Sequence, residues 1–477
     1  LKRWWLYPLP FNLSFFHKYN RRIFMLDTKK IHKFNLNDKN IVLDINSGAV
    51  HIVDDIVYDI IDYYEDTPLE NTVELFKGRY SEDDIYEAYK EIQLLEKEGL
   101  LFTEGMNLNN INYNSQNIVK AMCLHVAHDC NLRCKYCFAS QGDFKGERHL
   151  MSLEVGKKAL DFIATHSGNR RNLEVDFFGG EPLMNFEVVK ELVKYGRQIE
   201  KIYNKHFRFT ITTNGVLLDD EKMKFINENM DNVVLSLDGR KEVNDRMRET
   251  VSGGGSYDVI VPKFIQMANL RKDKDYFIRG TFTRNNLDFT EDALEFYNLG
   301  FKKISIEPVV ADPKEDYAIK EEDLETILKE YERFSREYIQ IKKKDKDFTF
   351  FHFMIDLNQG PCIIKRAVGC GAGSEYVAVT PEGDLYPCHQ FVGNEDFKLG
   401  NIFDGILNNT IRDTFKKANV LNKEECSNCW ARFYCSGGCH ANAYNANKDI
   451  LKPYKVGCEM EKKRIECAIS ILANLDD

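Results

Sequence analysis

The sequence predicts an α/β protein whose centre is a partial (β/α)6 barrel, with a small strand-and-helix module before it and a cysteine-rich region after it. Three observations carry this. Across residues 118–310, six short apolar runs alternate with helical stretches, the pattern of a parallel sheet with crossover helices. Ahead of them, residues 25–105 hold three short alternating runs and then helical periodicity. Behind them, from Pro361 onward, glycines and cysteines replace periodicity until a last helix, "CEMEKKRIECAISILANL".

Residues 1–24 are basic and aromatic, and prolines and polar residues break their apolar run. They show no long hydrophobic region and no small-residue cleavage site. A membrane-surface anchor is one reading of them. The expectation is a disordered tail or an upstream mis-start, since the first methionine is Met25. No segment approaches the ~20 apolar residues of a membrane span, so no membrane partner is expected.

In residues 25–105 the runs "IHKFNL", "NIVLDI" and "AVHIVD" are separated at "NDKN" and "NSG", where turn residues cluster. Three strands follow. "DDIVYDIIDYY" places Ile56, Ile60 and Tyr63 on one helical face. The helix at 81–98 opens with Ser81 and Asp84 as a capping box, turns Ile85, Tyr89, Ile92 and Leu95 inward, and stops at Gly99. The asparagine-rich stretch 106–117 reads as a linker. Barrel strands are expected at "VKAMCLHVA", "NLEVDFFGG", "FRFTITTNG", "NVVLSLDG", "YFIRGTFT" and "KKISIEPVV". Residues 311–360 read as a charged helical bridge, and 361–477 as the cysteine-rich domain.

Composition narrows the function. The chain of 477 residues is 43% hydrophobic and 12% aromatic, with a net charge of −10, so no global basic field draws it to nucleic acid. Its 13 cysteines are odd in number, and no cleavable signal is read ahead of them. A reducing, cytoplasmic setting and metal ligation are favoured over a disulfide framework.

Cys130, Cys134 and Cys137 form CxxxCxxC directly after the first barrel strand. Three thiolates on a short loop wrap three corners of a cubane cluster and leave the fourth iron open. A disulfide would strand one thiol. Zinc would need a fourth ligand, which His128 or His125 offers. Position favours the cluster, because active sites gather at strand C-termini in β/α folds.

With Tyr136 ahead of its third cysteine, this motif resembles that of the radical S-adenosylmethionine (radical SAM) enzymes. "GGEP" (Gly179, Gly180, Glu181, Pro182) is similar to their motif for the methionine amino group. "SLDG" places Ser236 and Asp238 at the end of the fourth strand. Arg248, in "NDRMRETVSGGGSYD", resembles an arginine that holds the methionine carboxylate in peptide-modifying members. "IEPV" makes Val309 a candidate adenine contact. Each string alone is weak; their order at successive strand ends is not. The resemblance implies a low-potential cluster that chelates S-adenosylmethionine, one-electron cleavage of the sulfonium, and a 5′-deoxyadenosyl radical. No acid or base is assigned.

Cys370, Cys388, Cys426, Cys429, Cys435, Cys439 and Cys458 resemble the SPASM domain, which holds two auxiliary iron–sulfur clusters. The resemblance implies four ligands for one (Cys426, Cys429, Cys435, Cys458) and three for the other (Cys370, Cys388, Cys439), hence three [4Fe–4S] clusters in all. A zinc ribbon on Cys426 and Cys429 is the alternative. Cys123 and Cys467 read as core thiols. Cys362 is left open, because related enzymes sometimes add a ligand nearby.

The front module resembles the winged-helix-like domain that reads leader peptides in enzymes modifying ribosomal peptides. A strand at 48–53 would pair with an extended leader, walled by the helix at 81–98. DNA binding is disfavoured, since residues 81–98 hold two lysines against seven acidic residues. As a whole the chain resembles the thioether-forming maturase of six-cysteines-in-forty-five-residues (SCIFF) peptides. That implies cysteine-to-threonine crosslinks, a cysteine-rich precursor bound through its leader, and a flavodoxin- or ferredoxin-type electron donor. It also gives the open auxiliary site a role, holding the sulfur of a substrate cysteine. A sulfatase-maturase-like oxidation of a protein cysteine or serine is the enzymatic alternative. A peptide-binding or zinc-stabilised adaptor is the non-enzymatic one.

Overall fold

The computed structural model describes residues 29–105, 118–355, 357, 367 and 369–475; the 1–24 tail, the 106–117 linker and Cys362 lie outside them. Strands β1 (Ile31–Leu36), β2 (Lys39–Asp44) and β3 (Val50–Val53) form an antiparallel sheet in chain order. The tight turn between β1 and β2 runs through Asn37 and Asp38, both left-handed, as a two-residue hairpin demands. Helices α1 (Asp55–Ile60), α2 (Leu69–Phe76) and α3 (Glu82–Lys97) follow. The Ser81 hydroxyl accepts the Asp84 amide at 3.2 Å and donates to its carboxylate at 2.6 Å. Ile85, Tyr89 and Ile92 are buried and Leu95 packs against them. Tyr63 is not on the inner face as expected, and stands 38% exposed. The chain tightens into a 3-10 turn at Ile61–Tyr63, and this change of phase turns Ile61 inward instead.

The two faces of this sheet have different fates. Val42 packs with α1 and α3 in a core of the module's own. Phe34, Leu36, Ile41 and Leu43 join the main core of the protein, which includes Ile465, Ala468 and Ile469 of the C-terminal helix Lys455–Leu475. Asn37 Nδ2 donates to Ser335 Oγ at 3.1 Å and Ser470 Oγ at 3.0 Å.

The six expected barrel strands are present: β4 (Ala121–His128), β6 (Asn172–Gly179), β7 (His206–Thr213), β8 (Asn232–Ser236), β9 (Asp275–Phe282) and β10 (Lys303–Pro308), with a short β5 (His149–Leu150) pairing β4. They are parallel neighbours in the order β4-β6-β7-β8-β9-β10. Helices α4 (Leu153–His166), α5 (Phe186–Tyr203), α6 (Asp220–Asn229), α7 (Lys241–Met247), α8 (Tyr257–Arg271) and α9 (Phe289–Asn298) connect them. Val175, Phe177, Phe207, Phe209 and Ile211 are fully buried, while Asp176, Thr210 and Thr212 between them are not. One sheet face is thus an apolar bed and the other a polar lumen.

The sheet extends past the barrel at both ends. After α10 (Leu324–Lys344), β11 (Thr349–Phe350) pairs parallel with β10, so the segment expected to be purely helical also contributes a strand. At the other edge β12 (Tyr376–Val379) pairs parallel with β4, and β13 (Asp384–Tyr386), β14 (Gly400–Asn401) and β15 (Gly405–Ile406) continue antiparallel. The cysteine-rich region is therefore hydrogen-bonded into the barrel sheet. Among the described residues, no helix is long and apolar enough to cross a membrane.

Candidate functional site

The loop carrying Cys130, Cys134 and Cys137 leaves the C-terminal end of β4 and is held by its backbone. Arg133 N donates to Glu249 O at 2.7 Å, and Lys135 N to Met247 O at 2.9 Å. Two glycines let the chain close around it. Gly142 has φ +104°, and a Cβ there would lie 2.7 Å from Cys130 Cβ. A Cβ on Gly180 would lie 2.2 Å from Asp129 O. Burial, with Glu181 and the neighbouring thiols adding to it, pushes Cys130 up to about 12. Burial does the same for Cys134. All twelve described cysteines are free. Clustered, buried thiols of this kind suit metal ligation, which makes the thiolate the stable form.

A cavity of about 680 Å³ opens beside this loop. Cys130, Cys134 and Cys137 face it, and so do Cys370, Cys388 and Cys439, Cys435 and Cys458. The thiols influence one another within the groups that the resemblance implied. Cys388 is pushed up by burial, then by Cys439 and Cys370. Burial pushes Cys426 up to about 11, with Cys435 and Cys429 adding. Cys435 and Cys458 rise through burial and their neighbours in that same group. In number and type of donor, the three groups would suit two iron–sulfur sites of three thiolates and one of four.

Tyr136, Gly179, Gly180, Ser236, Arg248 and Val309 line the cavity. Glu181, Pro182 and Asp238 are not on its wall. Glu181 is buried and accepts from Thr213 Oγ1 at 2.7 Å, Asn214 N at 2.8 Å and Leu183 N at 3.0 Å. It ties the end of β6 to the end of β7. Asp238, fully buried, accepts from Tyr136 Oη at 2.6 Å and Thr281 N at 3.0 Å. Arg248 Nε lies 3.0 Å from Asp238 but makes no hydrogen bond there, so the pairing is one of charge. Asp238 orients Tyr136 and Arg248. Asn214, Arg279, Glu307, His389 and Arg464 also line the cavity and were missed. Asn214 is the last residue but one of the expected run "FRFTITTNG", just past β7, and its Nδ2 lies 3.6 Å from Cys130 Sγ, so its position at a strand end was a usable signal. Arg464 is brought in by the C-terminal helix, which no local pattern marks.

His125 and His128 do not complete a zinc site. His125 Nδ1 and His128 Nε2 lie 3.1 Å apart, and both rings pack on Phe144. Among the described residues, no group of three His, Cys, Asp or Glu converges on a single metal position; this bears on the zinc readings, since the thiolates around an iron–sulfur cluster each take a different iron.

Residues 124–269 match the family model of the radical SAM superfamily, and residues 370–430 match the model of an iron–sulfur cluster-binding domain, SPASM. The chain carries a radical SAM domain and a SPASM domain. S-adenosylmethionine and iron–sulfur clusters belong to these domains. The cysteine-type anaerobic sulfatase-maturating enzyme of Clostridium novyi is 27% identical over 336 residues, covering 66% of this chain and 86% of its own. The radical SAM cyclopropyl synthase TigE of Paramaledivibacter caminithermalis is 22% identical over 441 residues, covering 88% of this chain and 86% of its own. Among solved structures, native anSMEcpe with bound AdoMet superimposes with a TM-score of 0.63 at 22% identity, covering 75% of this chain and 99% of its own. Streptococcus suis SuiB bound to its precursor peptide SuiA gives 0.51 at 16% identity, covering 90% of this chain and 98% of its own. These likenesses establish the fold. The radical SAM match covers β4 to α8, and the SPASM match begins at Cys370 and ends before Cys435.

Proposed function

We propose that this chain is a cytoplasmic radical SAM maturase that installs cysteine-to-threonine thioether crosslinks in a ribosomally made, cysteine-rich peptide. The observation that carries the reading is one cavity faced by two separate cysteine trios, together with Cys435 and Cys458 of the third group. Cys130, Cys134 and Cys137 would hold the cluster that binds S-adenosylmethionine. Cys370, Cys388 and Cys439 would leave a fourth position for a substrate sulfur. Cys426, Cys429, Cys435 and Cys458 would hold a third cluster. Bound together, the first cluster and S-adenosylmethionine supply a 5′-deoxyadenosyl radical, on reduction by a flavodoxin- or ferredoxin-type donor. The chain's residues would bind and orient S-adenosylmethionine: Gly179 and Gly180 would take the methionine end, Arg248 would offer charge to its carboxylate, Ser236 and Tyr136 would flank it, and Val309 would pack against adenine.

The front module supports a peptide substrate. Among the described residues, strand β3 pairs only with β2, and its Ile52 is 45% exposed. An extended leader can add to that edge. Relatives that span this chain nearly end to end, TigE and SuiB, include one solved with a precursor peptide. The sulfatase-maturating relatives cover less of it. That contrast supports a peptide read through a front module; oxidation of a sulfatase cysteine or serine, to which the sequence likeness also points, is the second reading.

The test is anaerobic reconstitution with dithionite, S-adenosylmethionine and two peptide sets: cysteine- and threonine-rich precursors with leaders, and sulfatase-derived cysteine peptides. Loss of two hydrogens per bridge in the first set supports the proposal. Oxidised, unbridged cysteine in the second set alone supports the other reading.

A further inference from the structure

Four cationic side chains matter around the cavity, and three are spent. Arg248 faces Asp238 at 3.0 Å. Arg464 Nη1 donates to His352 Nδ1 at 2.8 Å and pairs with Glu461. Lys423 Nζ donates to Gly437 O at 2.7 Å, behind the four-cysteine group. Arg279 is different. It stands on β9 with its side chain 47% exposed in the lumen. Among the described residues its one ion-pair partner is Glu307, at 4.0 Å. Its neighbours across the parallel sheet, Ser236 on β8 and Ser305 on β10, are short, so space surrounds the guanidinium.

Glu307 is committed elsewhere. Its Oε1 lies 3.2 Å from His352 Nε2 and 3.4 Å from Ser305 Oγ. Since Arg464 donates to the other ring nitrogen, the Nε2–H of His352 is left to donate. The carboxylate is thereby fixed at the lumen wall, and Cys439 feels its charge. Arg279 in turn acts electrostatically on Asp176, Glu307 and His389. It therefore sits in the lumen near both Ser236 and the Cys439 end of the cavity.

We propose that Arg279 is a substrate anchor, whose unspent N–H donors bind main-chain carbonyl oxygens of the peptide segment lying in the lumen. This rests on the peptide-modifying reading above. The guanidinium offers five donors in a planar fork and reaches two oxygens at once. The fixed Glu307 carboxylate stands 4.0 Å away, so a further carboxylate would meet a like charge there and a neutral acceptor fits better. The anchor holds the segment beside the two cysteine trios, where a reacting carbon and sulfur must meet.

The test uses the reconstituted holoenzyme and a synthetic cysteine- and threonine-containing peptide with no leader, no acidic residue and both ends capped. Its Kd is read by fluorescence anisotropy, and the KM for S-adenosylmethionine is read from deoxyadenosine formation without peptide. Arg279→Gln should weaken the peptide about tenfold or more, as expected for losing hydrogen bonds to a charged donor. The KM for S-adenosylmethionine should shift less than twofold, and Arg279→Lys should recover part of the peptide affinity. An unchanged peptide Kd overturns the proposal, and so does a larger shift for S-adenosylmethionine than for peptide. A loss confined to a second probe bearing aspartates shows a carboxylate ligand and overturns the main-chain assignment. Should the wild type cleave S-adenosylmethionine but bind and modify no peptide of either kind, the parent reading falls and this one with it.

Discussion

The two cysteine trios that face the cavity are built by opposite means. Cys130, Cys134 and Cys137 come from one turn of chain, braced by backbone hydrogen bonds to residues 247–249 and by the close approach of Gly142 and Gly180. Cys370, Cys388 and Cys439 come from segments far apart in sequence, gathered because β12 and β13 extend the barrel sheet and the chain returns across them. A locally built trio is a motif that spacing reveals. An assembled trio exists only once the sheet has closed around it, so it is the one whose ligand set can vary.

The largest effect separates the two at once. Changing Cys130, Cys134 and Cys137 together to alanine should abolish deoxyadenosine formation and remove about four of about twelve irons. Iron analysis showing no loss would break the assignment of the local trio.

The next sharpens the assembled one. Cys439→Ala should cost peptide bridging far more than deoxyadenosine formation, whereas Cys362→Ala should retain bridging. Peptide mass is the readout. If Cys362→Ala loses bridging together with iron, the site is closed by four protein thiolates, and the substrate sulfur is held elsewhere.

A smaller effect concerns the brace beside the local trio. Asp238→Asn keeps the shape but removes the charge that faces Arg248 and weakens the acceptor for Tyr136. The KM for S-adenosylmethionine should rise about tenfold, the scale of a charge-assisted contact of ~1.5 kcal/mol, with little change in the peptide Kd. Equal losses for both ligands would mean that Asp238 acts on the whole cavity.

The smallest tests how the front module is joined to the rest. The ring of His32 on β1 stacks on Trp430 with centroids 3.7 Å apart, one residue from Cys429, and its Nε2 lies 3.0 Å from Glu466. Burial alone would raise Glu466, but His32 and Lys463 hold it below its ordinary 4.5. A depressed carboxylate stabilises the fold above its unfolded pKa and loses that contribution as pH falls through its folded one. The urea midpoint of the wild type should therefore drop more steeply below about pH 4.5 than that of Glu466→Gln. Parallel declines would show that this contact does not couple to folding.

The contrast between the trios also explains what was legible. The order of motifs at strand ends, from Cys130 to Val309, was readable because parallel strands align their C-termini on one rim. Every expected barrel strand is there. Tyr63 was misplaced because periodicity assumes an unbroken α-helix, and a 3-10 turn breaks the phase. Glu181 and Asp238 were expected as contacts, and their side chains turn to Thr213 and Asn214 and to Tyr136 and Thr281 instead of onto the cavity wall; a sequence shows that a carboxylate is near a site but not which way it turns.

By itself the sequence determined the parallel sheet and the strand ends that carry the motifs, because alternation, spacing and capping are local and survive without knowledge of neighbours; the auxiliary cysteine groups rest on the resemblance. Only the tertiary structure decided that the cysteine-rich region is part of the barrel sheet and that the front sheet shares its core with the C-terminal helix. It also decided that, among the described residues, Arg279 has only a long ion pair to Glu307 while Arg248 and Arg464 are closely partnered. Those are outcomes of which donors and apolar faces meet when distant segments pack, and the cost of leaving any of them unmet is paid across the whole molecule.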